Sequence, residues 1–412
     1  MSETPAIAPP AAQEPARWLN RTVIGTGLTS LASDWSHEMA TTVLPGLLLM
    51  LGAGPGWLGA IEGLADGLSS FTKLASGHWT DRLRRRKPLV VSAYALTAAA
   101  TGAMAFATSA IYILGARCTA WLGRGLRTPG RKALLAAAVP PSAYGRAFGF
   151  ERMMDTLGAI VAPLTALWLL RVTGHNYRQM FLWTLVPGAL AAILFGTLVK
   201  ERETGERKQA AKSFATSLRT LPGPFRRFLV AVGIFGLGDF SHTMLILWAG
   251  QLLTPSLGFA KASSIAIGLY LLHNVFYAAF AYIGGWASDH VPHRRVVLAA
   301  GYALAVVMAA LMVRGGAHIA LLATVFALAG IVVGVEEALE DSIAAELVPS
   351  EQHGMAFGTL AAVNALGDFG SSLLIGLLWS RVGPSVGFGV AGVLFLSGLI
   401  ILLLMGNQKP RV

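Results

Sequence analysis

Residues 77–88 read GHWTDRLRRRKP, and a related stretch, GWASDHVPHRR, returns at residues 285–295. Each stretch follows a long apolar segment and precedes another. Both open with a Gly and an Asp four residues apart, namely Gly77 with Asp81 and Gly285 with Asp289. A charged hairpin that recurs at one spacing in two halves of an apolar chain predicts a duplicated membrane transporter.

The composition is that of a membrane protein. Of the 412 residues, 54% are hydrophobic and only 13% are charged, whereas roughly 25% of the residues of a soluble protein are charged. Apolar runs of about 20 residues, the length that crosses a bilayer, recur along the whole chain. They lie near 23–51, 57–79, 88–108, 110–136, 147–170, 179–199, 227–253, 263–286, 295–313, 316–345, 355–379 and 384–405. The sequence therefore predicts an all-α integral membrane protein with twelve transmembrane helices.

Internal similarity divides these spans into two sets of six. DWSHEM at 34–39 recurs as DFSHTM at 239–244, and VPPS at 139–142 recurs as VPS at 348–350. Because six is an even number, both halves enter the membrane in the same sense, which predicts two parallel six-helix repeats. The expected division is a tail at 1–20, bundles at 21–199 and 227–406, a polar linker at 200–226 and a second tail at 407–412.

The net charge of +11 is distributed unevenly about the predicted spans. Most of the 32 Lys and Arg residues fall on the side that also holds both termini and the linker. Cytoplasmic loops attract such an excess, so we expect both termini in the cytoplasm and the protein in a bacterial inner membrane. The basic charge thus indicates orientation, and no nucleic-acid partner is expected.

Ionisable residues inside the predicted spans are the strongest functional indication. A charge at the bilayer centre costs at least ~2.5–3.5 kcal/mol, so such a residue normally faces a cavity or a partner. The candidates for binding substrate or protons are Asp34, His37, Glu38, Glu62, Asp66, Lys73, Arg117, Asp155, Asp239 and His242.

One group of these residues has the composition of a metal site. Asp34, His37 and Glu38 are spaced i, i+3 and i+4, which places them on one helical face. Asp239 and His242 repeat the i, i+3 spacing in the second half. If the two faces converge, Asp34, His37, Asp239 and His242 suit a divalent transition metal or a proton relay. The alternative is that each His hydrogen-bonds a neighbouring carboxylate or carbonyl.

Span 2 carries Glu62, Asp66 and Lys73 on one stripe. A buried carboxyl group in apolar surroundings can take up and release protons near neutrality, but a nearby Lys opposes this. The stripe therefore predicts either a transport role or a structural Asp66–Lys73 pair.

Corresponding positions of the two halves carry opposite charges. The offset that aligns the halves places Arg127 opposite Glu336, Arg131 opposite Glu340 and Lys132 opposite Asp341. These charges are expected to form a gate that closes when the halves meet. The alternative is a set of solvated interfacial charges, because exposed pairs contribute only ~0–1 kcal/mol each.

The repeated hairpin resembles the signature loop of the major facilitator superfamily of transporters, which joins helices 2 and 3 and, more weakly, helices 8 and 9. The residues that match it are Gly77, Asp81, Arg82, Arg85, Gly285 and Asp289. Arg84 stands where that family has a Gly, and His290 replaces an Arg in the second copy. The resemblance implies alternating access, with Arg82 and Arg85 pairing with acids between the halves.

Two further helices resemble proton-coupled members of that superfamily. Arg117 resembles a buried arginine on helix 4 that tunes an acid on helix 1, here Asp34, although Ala120 and Trp121 depart from the motif. Helix 5 resembles the Gly-rich motif of drug:proton antiporters, which favours export. The residues that carry this likeness are Gly149, Asp155, Gly158 and the pair Ala162-Pro163.

The predicted function is secondary active transport by alternating access, with proton-coupled efflux of a small molecule or divalent metal cation as the first interpretation. The alternatives are an uptake symporter for an organic anion or siderophore-like solute, whose carboxylates Lys73, Arg117 and Arg124 would bind, a passive channel, and an intramembrane enzyme. The sequence has no phosphate-binding Gly-x-x-x-x-Gly-Lys-Ser/Thr loop, so an ion or substrate gradient must supply the energy. No cofactor is expected, and the partners are the substrate, protons and lipid around a monomer.

Overall fold

The structure, a computed structural model, describes residues 17–53, 55–174, 176–201 and 214–405. All regular secondary structure in these residues is helical. The helices are α1 (Arg21–Met50), α2 (Pro55–Arg82), α3 (Lys87–Ala103), α4 (Ala110–Ala137), α5 (Tyr144–Val172), α6 (Tyr177–Trp183), α7 (Leu185–Leu198), α8 (Phe214–Arg219), α9 (Gly223–Gly236), α10 (His242–Leu257), α11 (Phe259–Asp289), α12 (Arg294–Arg314), α13 (Ile319–Leu347), α14 (His353–Arg381) and α15 (Pro384–Leu404). Most of the predicted terminal tails and part of the predicted linker lie outside the described residues.

These helices form the twelve predicted segments. α6 and α7 together make one segment, α9 and α10 make another, and α8 precedes the second half. Eight segments in the described part of the chain are long and apolar enough to cross a membrane. α1, α2 and α4 are not among the eight, and they are the helices on which the sequence places most of the ionisable candidates. The all-α fold with two six-helix repeats is confirmed.

Local capping explains where several helices begin. The Asn20 side chain accepts hydrogen bonds from the backbone N–H groups of Thr22 and Val23, which would otherwise be unsatisfied at the start of α1. The Glu201 carboxylate accepts the backbone N–H groups of Arg86 (2.6 Å) and Lys87 (3.1 Å), where α3 begins. The chain that follows α7 is thus tied to the basic hairpin after α2.

The two halves meet along α2 with α14 and along α5 with α11. Glycines bring these backbones into direct contact. A Cβ added to Gly77 would overlap the carbonyl oxygen of Gly354, and one added to Gly285 would overlap that of Gly145. Small residues allow this close approach of membrane helices, so the signature glycines form the surfaces on which the halves meet.

The seventh segment is interrupted where the sequence predicts a continuous helix. α9 ends at Gly236 and α10 begins at His242, so Asp239 lies in an irregular stretch. The i, i+3 spacing therefore does not place Asp239 and His242 on one helical face, and that prediction is wrong. Gly236 and Gly238 flank the stretch, and a Gly inside a helix costs about 1 kcal/mol relative to Ala.

Neighbouring α14 bonds to the irregular stretch. The Ser371 hydroxyl donates to the backbone carbonyl of Asp239 (2.6 Å), and the backbone N–H of Ser241 donates to the Ser372 hydroxyl (3.4 Å). A broken membrane helix is stable when adjacent helices satisfy its freed backbone groups in this way. The corresponding segment of the first half, α1, continues through Asp34 without a break.

Candidate functional site

The two repeated hairpins lie at one end of the bundle, called here the motif end. The Asp81 carboxylate accepts the backbone N–H groups of Gly354 and Met355, both at 2.8 Å, at the start of α14. A carboxylate at a helix N-terminus is stabilised by the helix dipole. Asp81 also pairs with Arg86 at 3.4 Å. Asp81 of the first half thus caps the N-terminus of α14 in the second half.

Asp289 makes the equivalent contact in the opposite direction. Its carboxylate accepts the backbone N–H groups of Gly145 (2.9 Å) and Arg146 (3.0 Å) at the start of α5. The Arg146 and Arg294 side chains each pair with it at 2.9 Å. The motif end is therefore closed by two matching contacts.

A third arginine of the hairpin, next to the two signature arginines, contacts Asp81. Arg82 ends α2, Arg85 follows in the hairpin, and both side chains are exposed. The residue that reaches Asp81 is Arg86, which is buried and also donates to the Thr80 carbonyl at 3.2 Å. Sequence reasoning missed Arg86 because consecutive arginines cannot be told apart without the turn that orients them.

Two ion pairs link the halves below the motif end. The Lys132 ammonium lies 2.6 Å from the Asp341 carboxylate, and both side chains are almost fully buried. The Arg152 guanidinium lies 2.9 Å from the Glu337 carboxylate, to which the Tyr277 hydroxyl also donates. These contacts must break if the halves separate at this end.

Of the gate pairs predicted from charge alignment, Lys132 with Asp341 is formed, and the other two are not. Arg131 pairs with Glu151 of its own half at 2.8 Å instead of reaching Glu340. Arg127 lies over the ring of Tyr94 at 4.1 Å and makes no ion pair with Glu336. The prediction failed for these pairs because α3 and α5 supply nearer partners, which an alignment of α4 with α13 does not include.

Asp34 lies buried at the centre of the first half. Its carboxylate is 3.5 Å from the Arg124 guanidinium. Asp155, Glu38 and Arg152 also act on it electrostatically. Arg152 in turn pairs with Asp155 at 3.0 Å. Asp34 therefore belongs to a network of acids and arginines from α1, α4 and α5.

Trp121 lies at the centre of a cationic group on α4. The guanidinium of Arg124 lies 4.7 Å from the Trp121 ring centre, and that of Arg117 lies 5.6 Å away. The His37 ring meets the indole edge-on at 4.9 Å. Arg117 donates to the Thr41 hydroxyl at 3.0 Å. The family comparison gave Trp121 only as a departure from the motif, so its place in this group was missed.

The centre of the second half is acidic. α13 carries Glu336, Glu337, Glu340 and Asp341, and no Lys or Arg. Asp239 and Asp368 lie within electrostatic range of Glu336. Glu340 accepts hydrogen bonds from Tyr302 (2.9 Å) and Asn364 (2.8 Å). Glu336 is buried, and its Oε2 atom has no hydrogen-bond partner among the described residues.

The predicted metal ligands are not gathered together. His242 lies against His273, with ring centres 4.7 Å apart, while Asp34 is held by Arg124. Across the described part of the chain, no group of three or more His, Cys, Asp or Glu is arranged to hold a metal ion. Asp34, His37, Asp239 and His242 therefore form no metal site in this structure.

Span 2 is described only in part. The side chains of Glu62 and Asp66 lie outside the described residues, and so does any pair between Asp66 and Lys73. Lys73 is half-buried where α2 meets α14, since a Cβ added to Gly358 would lie 2.7 Å from its carbonyl oxygen.

Comparison with known proteins agrees with this architecture. An uncharacterized MFS-type transporter of Methanocaldococcus jannaschii is 29% identical over 392 residues, which cover 94% of this chain and 96% of the relative. The multidrug resistance protein MdtH of Aeromonas salmonicida is 32% identical over 132 residues, which cover 31% of this chain and 33% of MdtH. The crystal structure of the MFS transporter FucP in the outward conformation superposes with a TM-score of 0.76 at 15% identity, covering 94% of this chain and all of FucP.

The family description agrees with the repeats. The profile of the Major Facilitator Superfamily matches residues 19–272 and again 228–412, and these two matches span both halves. Family and fold indicate transport rather than enzymatic chemistry, in a multi-pass membrane protein that carries a small-molecule substrate. The chain belongs to the major facilitator superfamily of membrane transporters.

Proposed function

We propose that this protein is a proton-coupled secondary active transporter that works by alternating access. The observation that carries the proposal is the buried Glu336 carboxylate, which shares the centre of the second half with Asp239, Glu340 and Asp368. Burying an ionised carboxylate is costly unless it is paired or neutralised. Several interacting carboxyl groups on helices this poor in cations share protons as a set, and such a set can bind and release them during transport.

The motif end supports the alternating-access part of the proposal. The contacts of Asp81 and Asp289 join the halves through hydrogen bonds and ion pairs, and such contacts can open and close. The positive-inside bias assigns this end, with both chain termini, to the cytoplasm. The protein would then be open to the outside, as the similar FucP structure is in its outward conformation.

Two directions of transport remain as candidates. Export is favoured by the Gly-rich motif of α5 and by the likeness of about a third of the chain to the multidrug resistance protein MdtH. Uptake of an organic anion together with a proton is favoured by the cationic group around Trp121 on α4. In the part of the chain that the structure describes, no cluster of metal-binding side chains supports a divalent metal as cargo.

Proton flux in proteoliposomes tests the proposal. Purified protein is reconstituted, a pH gradient is imposed, and a pH-sensitive dye records proton movement on addition of organic anions, organic cations, sugars and divalent metal ions. At least one solute should drive proton movement that both Asp34→Asn and Glu336→Gln abolish. Glu351→Gln, at an exposed position, should leave it unchanged. Coupled flux that survives in both central variants would overturn the proposal.

A further inference from the structure

Four buried hydrogen-bond donors on α4 have no acceptor among the described residues: Arg117 Nε, Trp121 Nε1, Arg124 Nη1 and Arg131 Nε. Other guanidinium nitrogens of Arg131 and Arg117 lie 2.8 Å from Glu151 and 3.0 Å from the Thr41 hydroxyl, so the donors that stand out are the indole Nε1–H of Trp121 and the Nη1 group of Arg124. Their i, i+3 spacing places both on one face of the helix. Buried polar groups are normally hydrogen-bonded, and an exception needs an explanation such as a ligand or an ion that the site is built to receive.

Among the described residues, the one carboxylate in contact with Arg124 holds it weakly. The 3.5 Å between Arg124 and the Asp34 carboxylate exceeds the ~2.7–2.9 Å of a good charge-assisted hydrogen bond. By contrast, the buried Arg131–Glu151 pair measures 2.8 Å. Arg124 is also the more exposed of the two arginines, with 22% of its side chain accessible against 8% for Arg131. Its guanidinium is therefore available to a second, better-placed carboxylate.

Each half contributes an aromatic group near this site. On the first half, the ring of Trp121 lies close to the guanidiniums of Arg117 and Arg124. On the second half, Tyr270 of α11 stacks on His273, with ring centres 5.6 Å apart and planes 12° apart. Tyr270 lies within electrostatic range of Glu38 and Asp34. A flat apolar group between the halves would thus have an aromatic surface on each side.

We propose that the substrate is an organic anion with a planar apolar part, whose carboxylate binds Arg124 and the Trp121 indole N–H. This inference rests on the proposed proton-coupled transport and deepens it. Arginine presents a planar fork of donors that matches a carboxylate. The cation–π contacts with Trp121 hold the guanidiniums in place before the substrate arrives.

Asp34 and the substrate carboxylate share Arg124, and this determines whether proton and substrate move in the same or in opposite directions. A substrate carboxylate that binds Arg124 neutralises the positive charge nearest to Asp34. Glu38 on α1 and Asp155 on α5 still repel the negative charge of the Asp34 carboxylate. Arg152 of α5 remains engaged by Asp155 and Glu337. Asp34 then takes up a proton, so substrate and proton bind together and cross the membrane in the same direction. Among the two candidate directions, this selects symport of an organic anion.

Calorimetric titration of the full-length protein in detergent tests the substrate class. The probes are benzoate and 2-naphthoate, each compared with its neutral amide. We expect each carboxylate to bind at least about tenfold more tightly than its amide. Titration in two buffers of different ionisation enthalpy should give an uptake of about one proton per anion bound, by linkage, and Asp34→Asn should remove that uptake.

Variants of α4 separate the two donors. Arg124→Gln should remove the preference for the acid over the amide, and Trp121→Phe, which keeps a ring but loses the N–H, should weaken carboxylate binding several-fold. Arg171→Gln, at the exposed end of α5, is the matched control and should bind as the unmodified protein does. Size-exclusion profiles and melting temperatures of all variants identify any that fail to fold.

Three results would overturn the inference: amides that bind as tightly as acids, carboxylate binding that survives Arg124→Gln, or no binding by either carboxylate. The solute panel distinguishes failure of the anion inference from failure of the proposed proton-coupled transport. If a cation or neutral solute drives proton flux that depends on Asp34 while carboxylates do not, only the anion inference falls. If no solute of any class drives proton flux, proton-coupled transport itself falls.

Discussion

The two halves of the molecule match at the motif end and differ at the centre. At the motif end, Asp81 and Asp289 each accept two backbone N–H groups from a helix of the opposite half, at distances from 2.8 to 3.0 Å. At the centre, α4 of the first half is basic and its counterpart α13 is acidic. α1 is also continuous, whereas the corresponding segment of the second half is broken between α9 and α10.

The comparison separates the contacts on which the two halves meet, which are alike, from the charged residues at the centre, which are not. Contact between a carboxylate and a helix N-terminus needs only an Asp, a Gly and a helix start, so both copies of the repeat can form it. The halves have diverged at the centre: α4 of the first half carries donors without an acceptor among the described residues, and the second half brings several carboxyl groups near one another.

The largest effect is expected from blocking the matching contacts. Gly77→Val and Gly285→Val each drive a side chain into the backbone carbonyl of a facing glycine, Gly354 or Gly145. Because backbone atoms cannot move aside, both variants should lose transport and stay open at the motif end. Maleimide labelling measures the opening, using Ser288→Cys, which is buried in this structure, in a Cys118→Ser background.

Matched controls lie on the same two helices. Gly67→Val on α2 and Gly268→Val on α11 add side chains at positions with nothing within 4 Å of the new Cβ, and both should transport normally. Unequal labelling of the Gly77 and Gly285 variants would show that the two motif contacts are not equivalent.

An intermediate effect is expected from the difference in charge at the centre. Arg131→Gln leaves Glu151 buried without its cation, and breaking a buried pair in this way costs ~3–5 kcal/mol. Glu336→Gln instead removes a charge from among other carboxylates, so it should leave stability unchanged or raise it. Thermal unfolding of both variants in one detergent gives the comparison. A similar loss of stability in both would mean that the centre of the second half is not held by shared protons.

The smallest effect is expected from the pair that joins the unlike helices α4 and α13. Reversing the charge of Lys132 or Asp341 should reduce the transport rate, and exchanging both should restore part of it. A coupling energy of ~0.5–3 kcal/mol is typical of residues in contact. The same cycle on Arg127 and Glu336, which make no contact, should be additive. Additive damage at Lys132 and Asp341 would remove the pair from the gate.

Much of the fold could be predicted because its determinants are local in the chain. A run of about 20 apolar residues forms a membrane helix wherever it lies, and a duplicated hairpin marks a duplicated bundle. The same holds for Asp81 and Asp289, whose position at helix ends follows from the hairpin. The side-chain partners could not be predicted, since the pairing of Arg86 with Asp81 depends on the orientation of a single turn.

The candidate site was predicted in its residue types but not in its arrangement. Asp34, Arg117 and Asp155 stood out because charge is rare in membrane spans. Trp121 gave no signal of ligand binding, because an aromatic residue in an apolar helix has no unusual feature until its unsatisfied N–H is seen. The supposed metal set failed because the break at Asp239 removes the helical periodicity on which that prediction depended.

The sequence by itself determined the twelve segments, the duplication and the side chains that carry charge into the membrane, since these depend on hydropathy and repetition along the chain. Only the tertiary structure decided which charges pair, because α3, α5 and α11 bring Tyr94, Glu151 and Tyr270 to residues far away in sequence. It likewise decided that Trp121 Nε1 and Arg124 Nη1 in the first half, and Glu336 Oε2 in the second, have no hydrogen-bond partner among the described residues. Electrostatic and hydrogen-bond energies depend on distances between helices, and no single segment of the chain contains those distances.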